Sequence, residues 1–219
     1  MYAYLAVIVN AIMKIWVKDI RGLEHLAHLK KKPFIVCPNH ASYLDDFLVP
    51  SVIMPRTKQL MHMYVNKNYF RFFLFRWFLN HVQSIPVVVD KAPGYKTVNQ
   101  EASRKALLYL KRGDIICIYP EGHRSRDGEL QKAKTGAVAL ALAAGVPIVP
   151  VGVVGTRNVL PRGNFFPKLG KKVFVNIGKP IMVMEMVKNT GRPTKKELHL
   201  CIKKVMQAIA GMIGKEYLH

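Results

Sequence analysis

The sequence IVCPNHASYLDDFL, residues 35–48, changes character twice over a short distance. An apolar run ends just before Asn39 and His40. Two carboxylates, Asp45 and Asp46, stand five and six residues after the histidine, where the chain becomes apolar again. The pattern predicts a buried strand, a polar connection and the start of a helix.

Apolar runs that predict strands alternate with patterns that predict helices along the rest of the chain. We expect strands at 33–37, 85–90, 114–120, 146–155 and 171–178, and helices at 43–53, 68–82, 97–113, 135–145 and 194–214. Pro50 and Pro55 are expected to interrupt the first helix. Continuous apolar strands separated by helices predict an α/β fold, with a largely parallel central sheet flanked by helices.

The first 18 residues, MYAYLAVIVNAIMKIWVK, carry no charge before Lys14 and Lys18. The uncharged run is shorter than the ~20 residues that a helix needs to cross a bilayer. Tyrosines and Trp16 followed by lysines are typical of a helix that lies in the membrane interface. We therefore expect a membrane-interface helix over residues 1–18 and one domain over residues 19–219, although a helix packed on the domain surface fits the same pattern.

The predicted helix at 68–82 is apolar nearly all round, with Arg71 and Arg76 among its aromatic residues. A soluble domain rarely exposes so large an apolar patch, so contact with lipid is one interpretation and burial on most sides is the other. The whole chain carries 34 Lys and Arg against 13 Asp and Glu, a formal net charge of +21. Such a charge favours anionic membranes, phosphorylated substrates or nucleic acid, but no nucleic-acid-binding motif is present.

His40 and Asp45 can act together only if the helix begins after the histidine. On one straight helix, five residues correspond to about 500° of rotation, which leaves the two side chains on different faces. If Ser42 caps the helix, Asp45 lies in its first turn, as in a capping box. The carboxylate could then hold the Nδ1 proton of His40 and leave Nε2 as a base, or it could only cap the helix. On chemistry alone, Asp46 competes with Asp45 for this role.

Two further segments place polar residues after predicted strands. The segment IYPEGHRSRDGEL, residues 118–130, puts Glu121, Gly122 and Arg124 in a turn at a strand end, where α/β proteins bind ligands. Gly122 permits a close approach of the backbone, and the Arg124 guanidinium can hold a phosphate with two N–H groups. Lys91 follows another predicted strand and adds a point charge for phosphate.

The order and spacing of these segments resemble the four motifs of the glycerolipid acyltransferase family, typified by bacterial 1-acyl-glycerol-3-phosphate acyltransferases. The matching residues are Asn39, His40 and Asp45 for the first motif, Asp90 and Lys91 for the second, Tyr119 to Ser125 for the third, and Val146 to Val151 for the fourth. The resemblance covers about residues 33–180.

The resemblance implies transfer of a fatty acyl group from acyl-CoA or acyl carrier protein to the sn-2 hydroxyl of 1-acyl-glycerol-3-phosphate, giving phosphatidic acid. His40 would be the general base, and Asp45 would orient it. The lysophospholipid acceptor would be bound by Lys91, Glu121, Gly122, Arg124 and Ser125. No metal or cofactor is implied. The protein would act at the anionic surface of the cytoplasmic membrane, peripheral or monotopic, with its active site on the cytoplasmic side.

Two departures from the family motifs leave the acceptor open. Lys91 stands where the family usually has Arg, and His123 stands where it usually has Thr. Because lysine lacks the planar fork of arginine, the acceptor could be another lysophospholipid or an amino-acid lipid. An inactive lipid-binding homologue would share the same motifs. A nucleic-acid-binding protein would leave the histidine–aspartate pair and the aromatic helix without a role, so nucleic acid is not an expected partner.

Overall fold

The central sheet brings the predicted motifs together. A computed structural model describes residues 3–90, 94–164 and 166–219, and within them seven strands form one sheet. The strands are β1 (Val17–Arg21), β2 (Phe34–Pro38), β3 (Met61–Asn66), β4 (Ile85–Val87), β5 (Ile115–Cys117), β6 (Ile148–Val154) and β7 (Val173–Ile177). They lie in the order β1-β7-β6-β2-β5-β3-β4, and only β6 and β7 pair antiparallel. The predicted α/β fold with a largely parallel sheet is confirmed.

Helices cover both faces of this sheet. They are α1 (Ala3–Met13), α2 (Asp45–Thr57), α3 (Phe73–His81), α4 (Tyr95–Lys111), α5 (Gly136–Ala144), α6 (Thr156–Val159) and α7 (Lys195–Ile213), with 3-10 segments at Leu23–Leu29, Lys67–Arg71 and Val183–Met186. Along β2, Phe34 and Val36 belong to the core that includes α2, whereas Ile35 and Cys37 belong to the core that includes α4, α5 and α7. A strand that is buried on both faces is apolar at every position, which explains the continuous run at 33–37.

The helix α2 continues through two prolines, so the predicted interruption at Pro50 and Pro55 is wrong. Both prolines lie inside the helix, which runs to Thr57. A proline leaves the carbonyl four residues earlier without its helical partner, and for Pro55 that carbonyl belongs to Ser51. The Nδ2 of Asn10, on α1, donates to the Ser51 oxygen at 3.0 Å. The packing of α1 on α2 therefore supplies the hydrogen bond that Pro55 removes.

The predicted helix at 68–82 is instead two segments with a break at Phe72. The 3-10 segment ends at Arg71, and Phe72 has an extended backbone (φ −88°, ψ 127°) before α3 begins. Leu79 is the buried residue of α3. In contrast, the aromatic side chains at the start of this region are each at least 55% exposed, and we call them the aromatic surface: Phe72, Phe73, Phe75 and Trp77. The interpretation of a helix buried on most sides is therefore wrong.

The N-terminal helix α1 packs on α2 and ends at Met13, short of the predicted residue 18, because Val17 begins β1. Met13 and Trp16 are buried in the domain, so Trp16 is not the interface residue that the sequence predicts. Val7, Ile8 and Ile12 are exposed on the same helix. Residues 1 and 2 of the predicted interface helix lie outside the described residues. In the part of the chain that the structure describes, no helix is long and apolar enough to cross a membrane.

Sequence patterns do not predict β1 and β3. β1 is an edge strand and β3 lies next to the edge strand β4. Both strands mix polar and apolar residues, VKDIR in β1 and MHMYVN in β3, and several of these side chains are only partly buried. A strand that is buried on one face, or only partly buried, lacks the continuous apolar run that marks a central strand.

We expect Asn10→Ala to lower the free energy of unfolding by about 1 kcal/mol, because the Ser51 carbonyl would lose its hydrogen bond. Urea denaturation followed by circular dichroism measures the change. Lys14→Ala, at an exposed position just after α1, is the control and should change the free energy of unfolding by less than about 0.5 kcal/mol. Equal stability of Asn10→Ala and the wild type would show that this bond does not support the proline-containing helix.

Candidate active site

Three of the predicted motifs meet at the carboxyl edge of the sheet. β2, β5 and β4 run in the same direction, and polar residues that follow their ends surround a cavity of about 1410 Å³. His40 follows β2, Glu121 follows β5 and Asp90 follows β4, and all three line the cavity. A crevice outside the carboxyl ends of parallel strands is the usual ligand site of an α/β fold.

Asn39 fixes the end of β2 to the neighbouring strand β6. Its buried side chain donates from Nδ2 to Val153 O at 3.0 Å, and its Oδ1 accepts from Val153 N at 2.7 Å. Its backbone N–H donates to Val151 O at 3.3 Å. The Asn39 side chain thus pairs with Val153 as a strand backbone would, and it sets the point at which His40 leaves the sheet.

The predicted contact between His40 and Asp45 forms because α2 begins after the histidine. Asp45 Oδ2 lies 3.2 Å from His40 Nδ1, and it also accepts the backbone N–H groups of Ala41 at 2.7 Å and Ser42 at 2.8 Å. Asp45 is fully buried. The predicted capping box forms only in part, because Ser42 Oγ accepts from Leu44 N and not from the Asp45 N–H.

The imidazole of His40 is held in one orientation by two neighbours. With Asp45 accepting at Nδ1, the lone pair of neutral His40 lies on Nε2. The ring of Tyr119 stacks on the imidazole, with centroids 3.8 Å apart and an interplanar angle of 18°. The His40 side chain is 12% exposed and lines the cavity, so a ligand in the cavity can reach it.

The loop after β5 holds the backbone of His40 on two sides. Glu121 Oε1 accepts the His40 N–H at 2.9 Å and Oε2 accepts the Gln131 N–H at 2.8 Å, while Ser125 N donates to the His40 carbonyl at 2.8 Å. Burial raises the pKa of Glu121 to about 7, despite the two hydrogen bonds. Both oxygens of Glu121 are thus engaged by the protein, and Ser125 Oγ bonds within its own loop, to Asp127 at 3.0 Å.

Gly122 lies where this loop passes close to the end of another strand. Its φ is 77°, and a Cβ there would lie 2.9 Å from Val89 Cγ1, so the position requires glycine. The next residue, His123, is exposed, and its Nε2 lies 3.2 Å from Asp90 Oδ1. Lys91, the expected phosphate ligand beside Asp90, lies outside the described residues.

Arg124 lines the cavity, and its guanidinium carbon lies 3.4 Å from the centroid of the Tyr43 ring. Within residues 3–90, 94–164 and 166–219, its guanidinium makes no hydrogen bond and no ion pair. Four further basic residues line the same cavity: Arg126, from the 118–130 segment, and Lys132, Lys134 and Arg162. No local pattern separates Lys132 or Arg162 from the rest of the 34 Lys and Arg, so sequence alone could not place these two here.

Asp46, the alternative to Asp45, also lines the cavity beside His40. Burial raises the pKa of Asp46 to about 6. It is Asp45, however, that contacts Nδ1 of His40. The direction of the turn between β2 and α2 therefore distinguishes two carboxylates that have the same chemistry.

Comparison with known proteins points to the same family as the motifs. A family model described as Acyltransferase matches residues 18–154. A chloroplastic 1-acyl-sn-glycerol-3-phosphate acyltransferase of Brassica napus is 29% identical over 164 residues, 74% of this chain and 44% of the relative. The 1-acyl-sn-glycerol-3-phosphate acyltransferase of Escherichia coli is 35% identical over 108 residues, 49% of this chain and 41% of the relative. The chain thus spans about half the length of the curated relatives it matches.

A solved structure shares the fold. The crystal structure of the 1-acyl-sn-glycerophosphate acyltransferase PlsC from Thermotoga maritima matches 99% of this chain and 82% of its own, with a TM-score of 0.69 and 22% sequence identity. The family model covers more than half of the 219 residues and includes all four motifs. The chain therefore belongs to the acyltransferase family, and its predicted resemblance to glycerolipid acyltransferases is confirmed.

Proposed function

We propose that the protein transfers a fatty acyl group from an acyl thioester to the sn-2 hydroxyl of 1-acyl-glycerol-3-phosphate, which gives phosphatidic acid. The observation that carries this proposal is the His40–Asp45 pair on the wall of a large cavity that Arg124 also lines. The names of the relatives specify the same acceptor. Acyl-CoA and acyl carrier protein both carry the thioester that the reaction needs.

His40 is the general base in this proposal. Its Nε2 removes the proton from the acceptor hydroxyl as the oxygen attacks the carbonyl carbon of the thioester. The tetrahedral intermediate collapses, the carbon–sulfur bond breaks, and the leaving thiolate takes the proton from the imidazolium. Asp45 fixes the tautomer of His40 and stabilises the imidazolium. Because a thioester is already activated, positioning and deprotonating the hydroxyl are most of the task.

The phosphate of the acceptor binds at Arg124 in this proposal. A guanidinium with unoccupied N–H groups can hold a phosphate through two parallel hydrogen bonds, and Lys132 on the same cavity wall adds positive charge. Glu121 and Ser125 would shape the acceptor site through the loop, since their polar side-chain atoms bond within the protein. Lys91 stays a predicted phosphate ligand.

The position of His123 supports a second candidate function, in which an enzyme of the same family acts on a different acceptor. Its imidazole pairs with Asp90 at the edge of the cavity, next to Arg124, where the family usually has a threonine. A lysophospholipid or an amino-acid lipid with a larger headgroup would meet these extra polar groups. In this second candidate, the larger headgroup of the acceptor contacts His123 and Asp90.

We also propose that the protein lies on the cytoplasmic face of the membrane, as a peripheral or monotopic protein. The aromatic surface and the exposed Val7, Ile8 and Ile12 of α1 support this, because clustered apolar side chains usually mark a contact surface. The net charge of +21 would attract anionic lipid. The helical part of the predicted segment 1–18, α1 (Ala3–Met13), would then lie at the interface, whereas Val17 and Lys18 belong to β1 and join the domain predicted at 19–219.

The experiment that tests the activity measures thiol release from palmitoyl-CoA by detergent-solubilised protein. The acceptor is lysophosphatidic acid, glycerol 3-phosphate, lysophosphatidylglycerol or none. We expect release with lysophosphatidic acid, its loss in His40→Ala, and a decrease of about 100-fold or more in Asp45→Asn, because the tautomer of His40 is no longer fixed. His28→Ala, at an exposed histidine, is the matched control.

Each outcome of this experiment decides between named alternatives. Thiol release only with an acceptor other than lysophosphatidic acid would support the second candidate function. A folded His40→Ala variant with wild-type turnover would overturn the role of His40 as the base. No release with any acceptor, from palmitoyl-CoA or from palmitoyl-acyl carrier protein, would overturn the proposed activity.

Glu121 should make stability depend on pH. Folding raises its pKa from 4.5 to about 7, so between these values the folded state keeps a proton that the unfolded state releases. The free energy of unfolding therefore decreases as the pH rises through this window. Glu121→Gln should remove part of that decrease, on the order of 2 kcal/mol, in urea unfolding at pH 4.5 and pH 7. Glu101→Gln, on the exposed face of α4, is the control, and a wild-type pH profile of Glu121→Gln would contradict the raised pKa.

We expect the double substitution Phe73→Asp and Trp77→Asp to weaken binding to phosphatidylglycerol vesicles by about tenfold or more, because charged side chains would replace apolar ones at the lipid contact. Vesicle flotation measures the bound fraction. Leu108→Asp, at a leucine of α4 that is 62% exposed, is the matched control and should bind like the wild type. Full binding of the double variant would exclude the aromatic surface from the membrane contact.

A further inference from the structure

Arg124 is held by a tyrosine from the turn that carries His40 and Asp45. The guanidinium carbon lies 3.4 Å from the centroid of the Tyr43 ring, a distance at which a cation and an aromatic face attract each other. Tyr43 lies between His40 and Asp45 in sequence, just before α2. Both Tyr43 and Arg124 line the cavity. The position of Arg124 is therefore tied to the turn that orients His40.

Tyr43 is itself restrained by Tyr69, from the 3-10 segment Lys67–Arg71. The two hydroxyl oxygens are 2.7 Å apart, and the rings meet edge to face with centroids 6.4 Å apart. Burial raises the pKa of Tyr69 to about 12, so its hydroxyl stays protonated at neutral pH. The Tyr69 ring also contacts Phe75, at 6.3 Å between centroids. The two tyrosines thus connect Arg124 to the aromatic surface.

The contact with the Tyr43 ring is the short-range restraint on the end of the Arg124 side chain, and the carboxylate of Asp46 attracts its charge. Among the described residues, no hydrogen bond or ion pair reaches its guanidinium. A guanidinium that lies flat on a ring keeps its N–H groups at the edge of the stack, where two of them can meet the oxygens of one phosphate. An arginine without this support would have to lose side-chain freedom when the phosphate binds, which weakens binding.

We propose that Tyr43, supported by Tyr69, is a positioning residue that orients Arg124 for the phosphate of the acceptor. This inference rests on the proposed function, in which Arg124 binds that phosphate. Tyr43 then determines how tightly the acceptor binds and leaves the proton transfer at His40 unchanged. Because Tyr69 also contacts Phe75, the phosphate site lies beside the surface that we propose to contact lipid.

The kinetic test compares Tyr43→Leu, Tyr43→Phe and Tyr69→Phe with lysophosphatidic acid varied at saturating palmitoyl-CoA. Tyr43→Leu should raise the acceptor KM roughly threefold to tenfold, the range of a cation–π contact, with kcat and the donor KM unchanged. Tyr43→Phe keeps the ring, so its acceptor KM should stay within about twofold of the wild-type value. Tyr69→Phe should match Tyr43→Phe, because each removes the same bond between hydroxyls.

A double-mutant cycle with Arg124→Ala distinguishes positioning from direct contact. When no guanidinium remains to be oriented, Tyr43→Leu should cause no further decrease in kcat/KM for the acceptor. An equal decrease in both backgrounds would mean that Tyr43 contacts the acceptor itself, and it would overturn the positioning role. A lower kcat at an unchanged acceptor KM would overturn it as well.

A measurement without turnover separates this inference from the proposed function. The Nε–H resonance of Arg124, assigned by its absence in Arg124→Ala, should report an ordered side chain in the wild type and in Tyr43→Phe, but a mobile one in Tyr43→Leu. Phe47→Leu, at an exposed aromatic residue of α2, is the matched control and should leave Arg124 ordered. An equally ordered Arg124 in Tyr43→Leu would overturn the inference, whether or not the protein transfers acyl groups. A mobile Arg124 in Tyr43→Leu, in a protein without acyl transfer, would uphold the orientation of Arg124 by Tyr43 and overturn the proposed function.

Discussion

The Asp45 carboxylate fixes both the turn and the histidine of the site. One oxygen, Oδ2, receives three N–H groups, from the His40 ring and from the backbones of Ala41 and Ser42. The other, Oδ1, is buried and has no hydrogen-bond partner in the described part of the chain, so the hydrogen bonds that offset the burial of Asp45 all reach Oδ2. The local folding of the β2–α2 turn and the orientation of the imidazole therefore depend on the same atom.

The loop after β5 completes the arrangement through its backbone. Glu121 accepts N–H groups from His40 and Gln131, and it ties the start of the loop to the turn that Asp45 organises. The far end of the loop is held by the C-terminal segment, where Tyr217 Oη accepts from Ala133 N at 2.9 Å. A loop held at both ends keeps the backbone of Arg124 beside the cavity, and the contact with the Tyr43 ring is left to orient its guanidinium. The family resemblance implies that Glu121 binds the acceptor. Its two carboxylate oxygens, however, accept backbone N–H groups of His40 and Gln131 and so support the loop.

Sequence patterns predict those helix ends and contacts that depend on residues close together in the sequence. α7 begins where Thr194 forms a capping box with Glu197, and α5 ends at Gly145 in the left-handed conformation. The pairing of His40 with Asp45 is also local, since it needs only a helix that starts late. By contrast, α2 continues past Pro55 because Asn10 supplies a bond from another helix, and no pattern around the proline contains that information. The same holds for Arg162, which the fold brings from the segment after α6 to the cavity lined by the loop after β5.

Under the proposed function the acceptor is amphipathic, which sets two opposite demands on the protein. A lysophospholipid must place an anionic headgroup beside the base while its acyl chain avoids water. In this proposal Arg124 suits the headgroup, and the aromatic surface suits the chain. Tyr69 belongs to the cavity wall and contacts Phe75 of that surface. Under the proposed function, the acceptor could reach His40 without leaving the lipid completely, which avoids exposing its chain to water at about 0.8 kcal/mol for each CH₂ group.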